Sequence, residues 1–169
     1  DASLAKINKI IENDPNVKVI NLNKRSGQSF AIFKGIHEAK FNTIVTLDCD
    51  LQNDPRDINK LIDIFEKNSY GLVGGIRHNR KDGWVKKISS KIANSIRSFI
   101  LKDECKDTGC SLKVFKKDIF LKLPYFDGLH RFLPALFKGH EQRLFFSNVN
   151  HRSRLYGKSK YGISNRVFK

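Results

Sequence analysis

The 169-residue sequence contains no methionine and only three cysteines, Cys49, Cys105 and Cys110. An odd count without CxxC or Cys/His spacing argues against a disulfide framework or a zinc site, and for free thiols in a reducing compartment. No apolar run approaches the ~20 residues of a membrane-spanning helix, and the first residues lack the charged-then-apolar order of a secretory signal. Membrane association is therefore peripheral or uses segments outside these residues. Acidic side chains are scarce, 17 against 32 Lys and Arg, for a net charge of +15. Such a field draws polyanions or an anionic membrane surface without choosing between them. Internal repeats and low-complexity linkers are also lacking, and 169 residues at 40% apolar content suit one core better than two. The missing methionine and a helical pattern that begins at Ala2 lead us to expect a clipped chain.

What is present alternates between helical and extended patterns. Ala2 to Glu12 reads as a helix with Leu4, Ile7, Ile10 and Ile11 on one face, stopped by Asn13-Asp14-Pro15-Asn16. Val17 to Leu22 reads as a strand, Asn23 to Gln28 as a polar loop, and Ser29 to Lys40 as a helix. Thr43 to Leu47 has the β-branched character of a buried strand and ends at Asp48-Cys49-Asp50. Asp54 as N-cap and Pro55 at the first helical position open the next helix, whose apolar face is Ile58, Leu61, Ile62 and Phe65. Gly71 to Ile76 is a further strand, and the alternation predicts an α/β fold: a mostly parallel sheet with helices on both faces.

From Asp82 the character changes. Trp84, Val85, Ile88, Ile92, Ile96, Phe99 and Ile100 form a helical stripe, and between Arg77 and Lys102 eight basic residues face one acid, Asp82. A basic amphipathic helix of this kind lies on a membrane surface or turns its stripe to a core. Beyond it we expect strands over Ser111 to Phe115 and Arg143 to Val149, a turn at Pro124, an aromatic helix over Leu129 to Lys138, and a basic tail from His151 ordered by a ligand.

The chemistry concentrates at Asp48-x-Asp50, at the carboxyl end of a buried strand, where open α/β sheets place their ligands. Two carboxylates with Gln52 beyond them suit a hard divalent cation that keeps positions open for phosphate oxygens. The same spacing also serves as ordinary caps and turns. Cys49 and Cys110 read as small apolar packing residues.

Six blocks, in order, carry a family resemblance. The run Leu47-Asp48-Cys49-Asp50-Leu51-Gln52-Asn53-Asp54-Pro55 is similar to the segment LDADLQDPP of family 2 glycosyltransferases. Asn23 to Ser29 resembles the RNxGQS loop, Gly75 to Arg80 the GxRxxR stretch, Asp107 to Lys113 the DxGCGFR segment, and His130 to Leu133 the HRFL segment. His151 to Tyr161 resembles the HRxRxxGxSKY that closes the domain in dolichol-phosphate mannosyltransferases and bacterial polyprenyl-phosphate glycosyltransferases.

The resemblance implies a GT-A fold, Rossmann-like, with residues 1–169 forming one partial catalytic domain: a nucleotide-sugar side over 1–80, and an amphipathic helix and acceptor side over 81–169. It implies inverting transfer of a sugar from a nucleotide-diphosphate sugar to a dolichyl or undecaprenyl phosphate at the cytoplasmic face of a membrane, with Mg²⁺ or Mn²⁺. Asp48, Asp50 and Arg77 are the implied catalytic residues, and Asp50, Gln52 and Asp48 the metal site. Donor binding falls to Asp48, Gln28, Arg154 and Lys158, and the acceptor phosphate to Arg77, Arg80, Lys86 and Lys160. Gly157 and Gly162 would hinge the closing loop, His130 and His151 are read as structural, and Asp107 as a site carboxylate or a turn-former.

The family's PxYNE-like and DDGS strands have no counterpart here. On the resemblance, the chain begins just beyond these two strands, which in the sheet would lie between Val17–Leu22 and Thr43–Leu47, donor binding by these residues alone is weak, and membrane helices follow Lys169. Two other readings compete: transfer to a soluble or polysaccharide acceptor, and a basic nucleic-acid-binding module. Against the latter stand the lack of any nucleic-acid motif and the acidic stretch from Asp48 to Asp57, so no nucleic-acid partner is expected.

Overall fold

The computed structural model describes residues 3–12, 14–78, 101 and 103–153. The expected basic amphipathic helix and the tail from Arg154 lie outside them. The elements are α1 (Ser3–Ile11), α2 (Gly27–Glu38), β1 (Thr43–Thr46), α3 (Asp57–Lys67), β2 (Leu72–Arg77), β3 (Lys113–Lys116), α4 (Lys117–Phe120), α5 (Leu129–Gly139) and β4 (Leu144–Val149).

The strands form one four-stranded sheet in the order β1-β3-β2-β4. β3 runs antiparallel to both its neighbours, with Val114 opposite Val45 on one side and Val73 on the other. β2 and β4 are parallel, from Leu72 opposite Leu144 to Arg77 opposite Val149. The α/β class stands, but the sheet is mixed rather than mostly parallel. The reversal has a consequence for the site: the chain enters β3 at the same end of the sheet where β1 and β2 finish. Residues 103–112 thus lie alongside the Asp48 loop.

Side chains alternate across the sheet. Phe115 of β3 joins Ile36, Leu72, Phe120, Leu133 and Phe137 on the face covered by α2 and α5. Val114 joins Leu61, Phe65, Val73 and Val149 on the face covered by α3. Burial of each such side chain contributes about 1.5–3 kcal/mol, and the two layers together hold the ligand-bearing ends of β1, β2 and β3 level.

Three expectations are corrected. Val17 to Leu22 forms no strand and belongs to no ladder, because a strand forms only where a neighbour supplies donors and acceptors and no described strand flanks it. α3 starts at Asp57 with Arg56 at the N-cap, not at Pro55 with Asp54 as the cap. Asp54 instead shapes the turn before the helix, accepting the Arg56 N–H at 3.1 Å on its carboxylate and the Asp57 N–H on its carbonyl. The one-turn helix α4 was not anticipated, since four residues are too few to show a helical period. No described helix is long and apolar enough to cross a membrane.

Candidate active site

Asp48 lies two residues beyond the end of β1 and is held from two sides. Its N–H donates to the Ser111 hydroxyl at 3.1 Å, and its Oδ1 accepts from the Gln28 amide at 3.1 Å. Ser111 is a junction: its hydroxyl also accepts from Asn53 Nδ2 at 3.0 Å, and its carbonyl accepts from Thr46 Oγ1 at 2.7 Å. Asp50 turns back on its own loop, Oδ1 accepting the Gln52 N–H at 3.2 Å. Between them Leu51 adopts φ 62°. A leucine in this left-handed region costs about 1–2 kcal/mol, a strain kept in place by the bonds on either side. Cys49 is exposed in this loop, contrary to the packing expected of it, because its side chain leaves the turn on the solvent side; Cys110 is buried as expected, and none of the three cysteines is in a disulfide.

The donor set fits a hard divalent ion. Asp48 and Asp50 offer carboxylate oxygens and Gln52 an amide oxygen, and Gln28 occupies only one oxygen of Asp48. Among the described residues no group of three or more His, Cys, Asp or Glu could enclose a metal. An ion here would therefore keep coordination positions for phosphate oxygens, as Mg²⁺ and Mn²⁺ do in nucleotide sites.

Arg77, at the end of β2, grips Asp107 with a fork: Nε to Oδ2 at 2.8 Å and Nη2 to Oδ1 at 2.7 Å, with its backbone N–H also on Oδ2 at 3.1 Å. Both side chains are largely buried, which makes this a strong, geometrically specific pair. Asp107 is thus the partner of Arg77 and also closes the turn to Cys110, whose N–H donates to its carbonyl. Arg77 was expected to seat a phosphate; the structure places its fork on a carboxylate.

A third feature ties the Asp48–Gln52 loop to the end of β4. The Arg152 N–H donates to the Gln52 carbonyl at 2.8 Å, and the Gln52 amide donates to the Arg152 carbonyl at 3.3 Å. Asn53 and His151 form an isolated bridge. Asp57 accepts from the Asn150 backbone at 2.7 Å and its side chain at 3.2 Å. Asp54 accepts from Arg56 through both oxygens and from Arg152 at 2.5 Å. The guanidiniums of Arg56 and then Arg152 hold the Asp54 carboxyl well below the usual carboxylate range.

On the α2 and α5 side, buried Ser29 accepts the Gly128 N–H at 2.9 Å and lies 2.7 Å from His130 Nδ1. Burial first, then the Arg131 and Lys113 charges, pushes His130 from 6.5 down to about 4, with Asp127 opposing. Lys113 is itself buried, its ammonium donating to the Cys110 carbonyl, and burial lowers its pKa.

The structure thus places Asp48, Asp50 and Gln52 in one loop with Gln28 of α2 bonded to Asp48, while Arg77 ends β2, which β3 separates from β1. Arg80, Lys86, Arg154, Lys158 and Lys160 lie outside the described residues. Ser111, Asp54, Asp57 and Asn150 were not recognised from the sequence as partners. The Ser111 contact spans 63 residues and those of Asp57 span 93, and spacing along a chain carries no signal for pairings that distant.

A strand-end carboxylate loop on an open α/β sheet is the arrangement of a nucleotide-sugar-type transferase fold, and the comparisons agree. Residues 1–123 match the family model for glycosyl transferase family 2, and the chain belongs to that family. It is similar to a dodecaprenyl-phosphate galacturonate synthase of Rhizobium johnstonii, 36% identical over 97% of this chain and 50% of that protein. It is also similar to an undecaprenyl-phosphate 4-deoxy-4-formamido-L-arabinose transferase of Aeromonas hydrophila, 34% identical over 84% of this chain and 43% of that protein. The chain spans about half the length of these curated relatives or less.

Among solved structures it is similar to glucosyl-3-phosphoglycerate synthase of Mycobacterium tuberculosis in complex with Mn²⁺, uridine diphosphate and glucosyl-3-phosphoglycerate. That match has TM-score 0.65 at 13% identity, covering 94% of this chain and 58% of that one. At this identity the likeness is one of fold, and the fold is GT-A.

Proposed function

We propose that the whole protein transfers a sugar from a nucleotide-diphosphate sugar to a polyprenyl phosphate at a membrane surface, with inversion at the anomeric carbon and with Mg²⁺ or Mn²⁺ bound. Support comes from the two relatives named for polyprenyl-phosphate products. The observation that carries the reading is the Asp48 and Asp50 loop, strained at Leu51 and braced by Gln28 and Ser111 at the sheet's ligand end.

Asp48, Asp50 and Gln52 would hold the divalent ion, which when bound supplies positive charge against the donor's diphosphate. Gln28 keeps Asp48 oriented for that task. The acceptor is already an anion, so its phosphate oxygen forms the new bond to the anomeric carbon while the bond to the diphosphate oxygen breaks. Both electrons of that bond leave with the nucleoside diphosphate. No strong base is required, and cations are. Arg77, neutralised by Asp107, braces the 107–110 loop, while Arg80, Lys86 and Lys160 take the acceptor phosphate and Arg154 and Lys158 the donor.

The test uses the protein expressed from its complete gene, with radiolabelled nucleotide-sugar and undecaprenyl phosphate. Label extractable into organic solvent is expected, with D48A and D50A each reducing the rate at least roughly 100-fold. Undiminished transfer by both variants overturns the metal-loop assignment, and label confined to the aqueous phase points to a soluble acceptor.

A further inference from the structure

Nothing in the proposed chemistry uses Ser29 or His130, yet both are placed with unusual definition. Ser29 is 2% exposed and sits in the first turn of α2, immediately after Gln28. His130 sits in the first turn of α5. Neither helix has a side-chain cap hydrogen bond from its own N-cap residue; the Ser29 hydroxyl instead accepts the N–H of Gly128, the residue that precedes α5.

The direction of the hydrogen bonds can be worked out. The Gly128 N–H can only donate, so the Ser29 oxygen accepts there at 2.9 Å. A hydroxyl carries one proton, and the partner left for it is His130 Nδ1 at 2.7 Å. Nδ1 is then the acceptor, and the ring is neutral with its proton on Nε2. The surroundings agree: Arg131 on the same helix and Lys113 on β3 disfavour an imidazolium, and Asp127 in the preceding loop is the one nearby opposing charge. The positive ends of two helix dipoles also converge at this point.

We propose that Ser29 and His130 are positioning residues: a neutral imidazole, receiving the Ser29 proton, locks the first turns of α2 and α5 together and so keeps Gln28 on Asp48. The bond from Gln28 to Asp48 bridges 3.1 Å between residues on an exposed surface. A glutamine there has several rotamers, and its helix turn must be fixed for the amide to dwell on one carboxylate oxygen. The inference rests on the proposed role of Asp48.

The experiment has two arms on the protein from its complete gene. In the kinetic arm, S29A and H130F are expected to lower kcat roughly 10-fold with acceptor KM within about twofold, since they act through orientation and not through lipid binding. H130N, whose amide oxygen can accept where Nδ1 does, should recover most of the loss. The S29A/Q28A double variant should be no slower than Q28A alone, because one pathway is being broken twice. Unchanged kcat in S29A and H130F, or losses that multiply in the double variant, would overturn the clamp.

In the second arm, imidazole ¹⁵N NMR of His130 should show a neutral ring with the proton on Nε2 at neutral pH, and S29A should change the Nδ1 resonance. A proton on Nδ1 would overturn the proposal even in an enzyme that proved inactive on polyprenyl phosphate. Failure of the functional reading and failure of the clamp are thereby distinguished.

Discussion

Gly109 carries no side chain because Arg77 occupies the space: a Cβ built there would lie 2.7 Å from Arg77 Nη2. In G109A the guanidinium must shift, which strains its fork on Asp107 within a largely buried charge pair. We expect a loss of about 2 kcal/mol, read as a lower urea midpoint, since loosening one partner of such a pair leaves the other less compensated. His130 gives a pH signature of known sign. Its folded pKa, about 4, is below the ordinary 6.5, so the unfolded chain binds more protons between those values. The contribution is fully present above pH 6.5 and is lost as the pH falls towards 4. The loss should be on the order of 1 kcal/mol, the full linkage value being cut by solvent at a half-buried ring. It is measured as the drop in urea midpoint between pH 7 and pH 4.5, and H130F should show a correspondingly smaller drop.

At the scale of elements, the sequence was legible wherever a pattern is local. Periodicity located α2, α3 and α5 because each has an apolar face long enough to repeat, a β-branched run located β1, and the apolar, glycine-containing stretch Gly71 to Ile76 located β2. Val17 to Leu22 shows the limit. Its residues favour extension as β1's do, but strand status belongs to a pair of segments, and no described strand lies beside it. The motif residues Gln28 and Asp48 could be named from spacing, whereas their hydrogen bond, and the Ser111 junction, required the reversed β3 that no local pattern reports. Among the described residues β1 pairs only with β3, so its other edge has no described partner, and Phe41 just before it is 78% exposed. On α1, Leu4 and Ile10 are 44% and 57% exposed. Such edges and faces recruit partners. The 169-residue chain alone is therefore expected to associate as its concentration rises, seen by light scattering, and a charged substitution such as Thr43→Lys on the β1 edge should reduce the effect.

For the whole molecule, the mixed sheet, two apolar layers and a net charge of +15 act together. The layers fix the ligand end of the sheet; the charge decides what approaches it. Binding of the complete protein to vesicles containing anionic lipid should weaken several-fold between about 50 and 500 mM salt, and be slight on zwitterionic vesicles at either concentration. Co-sedimentation measures it, and salt-independent binding would remove the electrostatic part of the reading.

The stitch between Gln52 and Arg152 joins stretches of chain 100 residues apart. A pull on the chain at Ser153 is therefore carried through Arg152 both to the turn holding Asp50 and to the Asp54 carboxylate. Occupancy at one end of the polypeptide can in this way retune how firmly the cation loop is set, without any part of the sheet having to move.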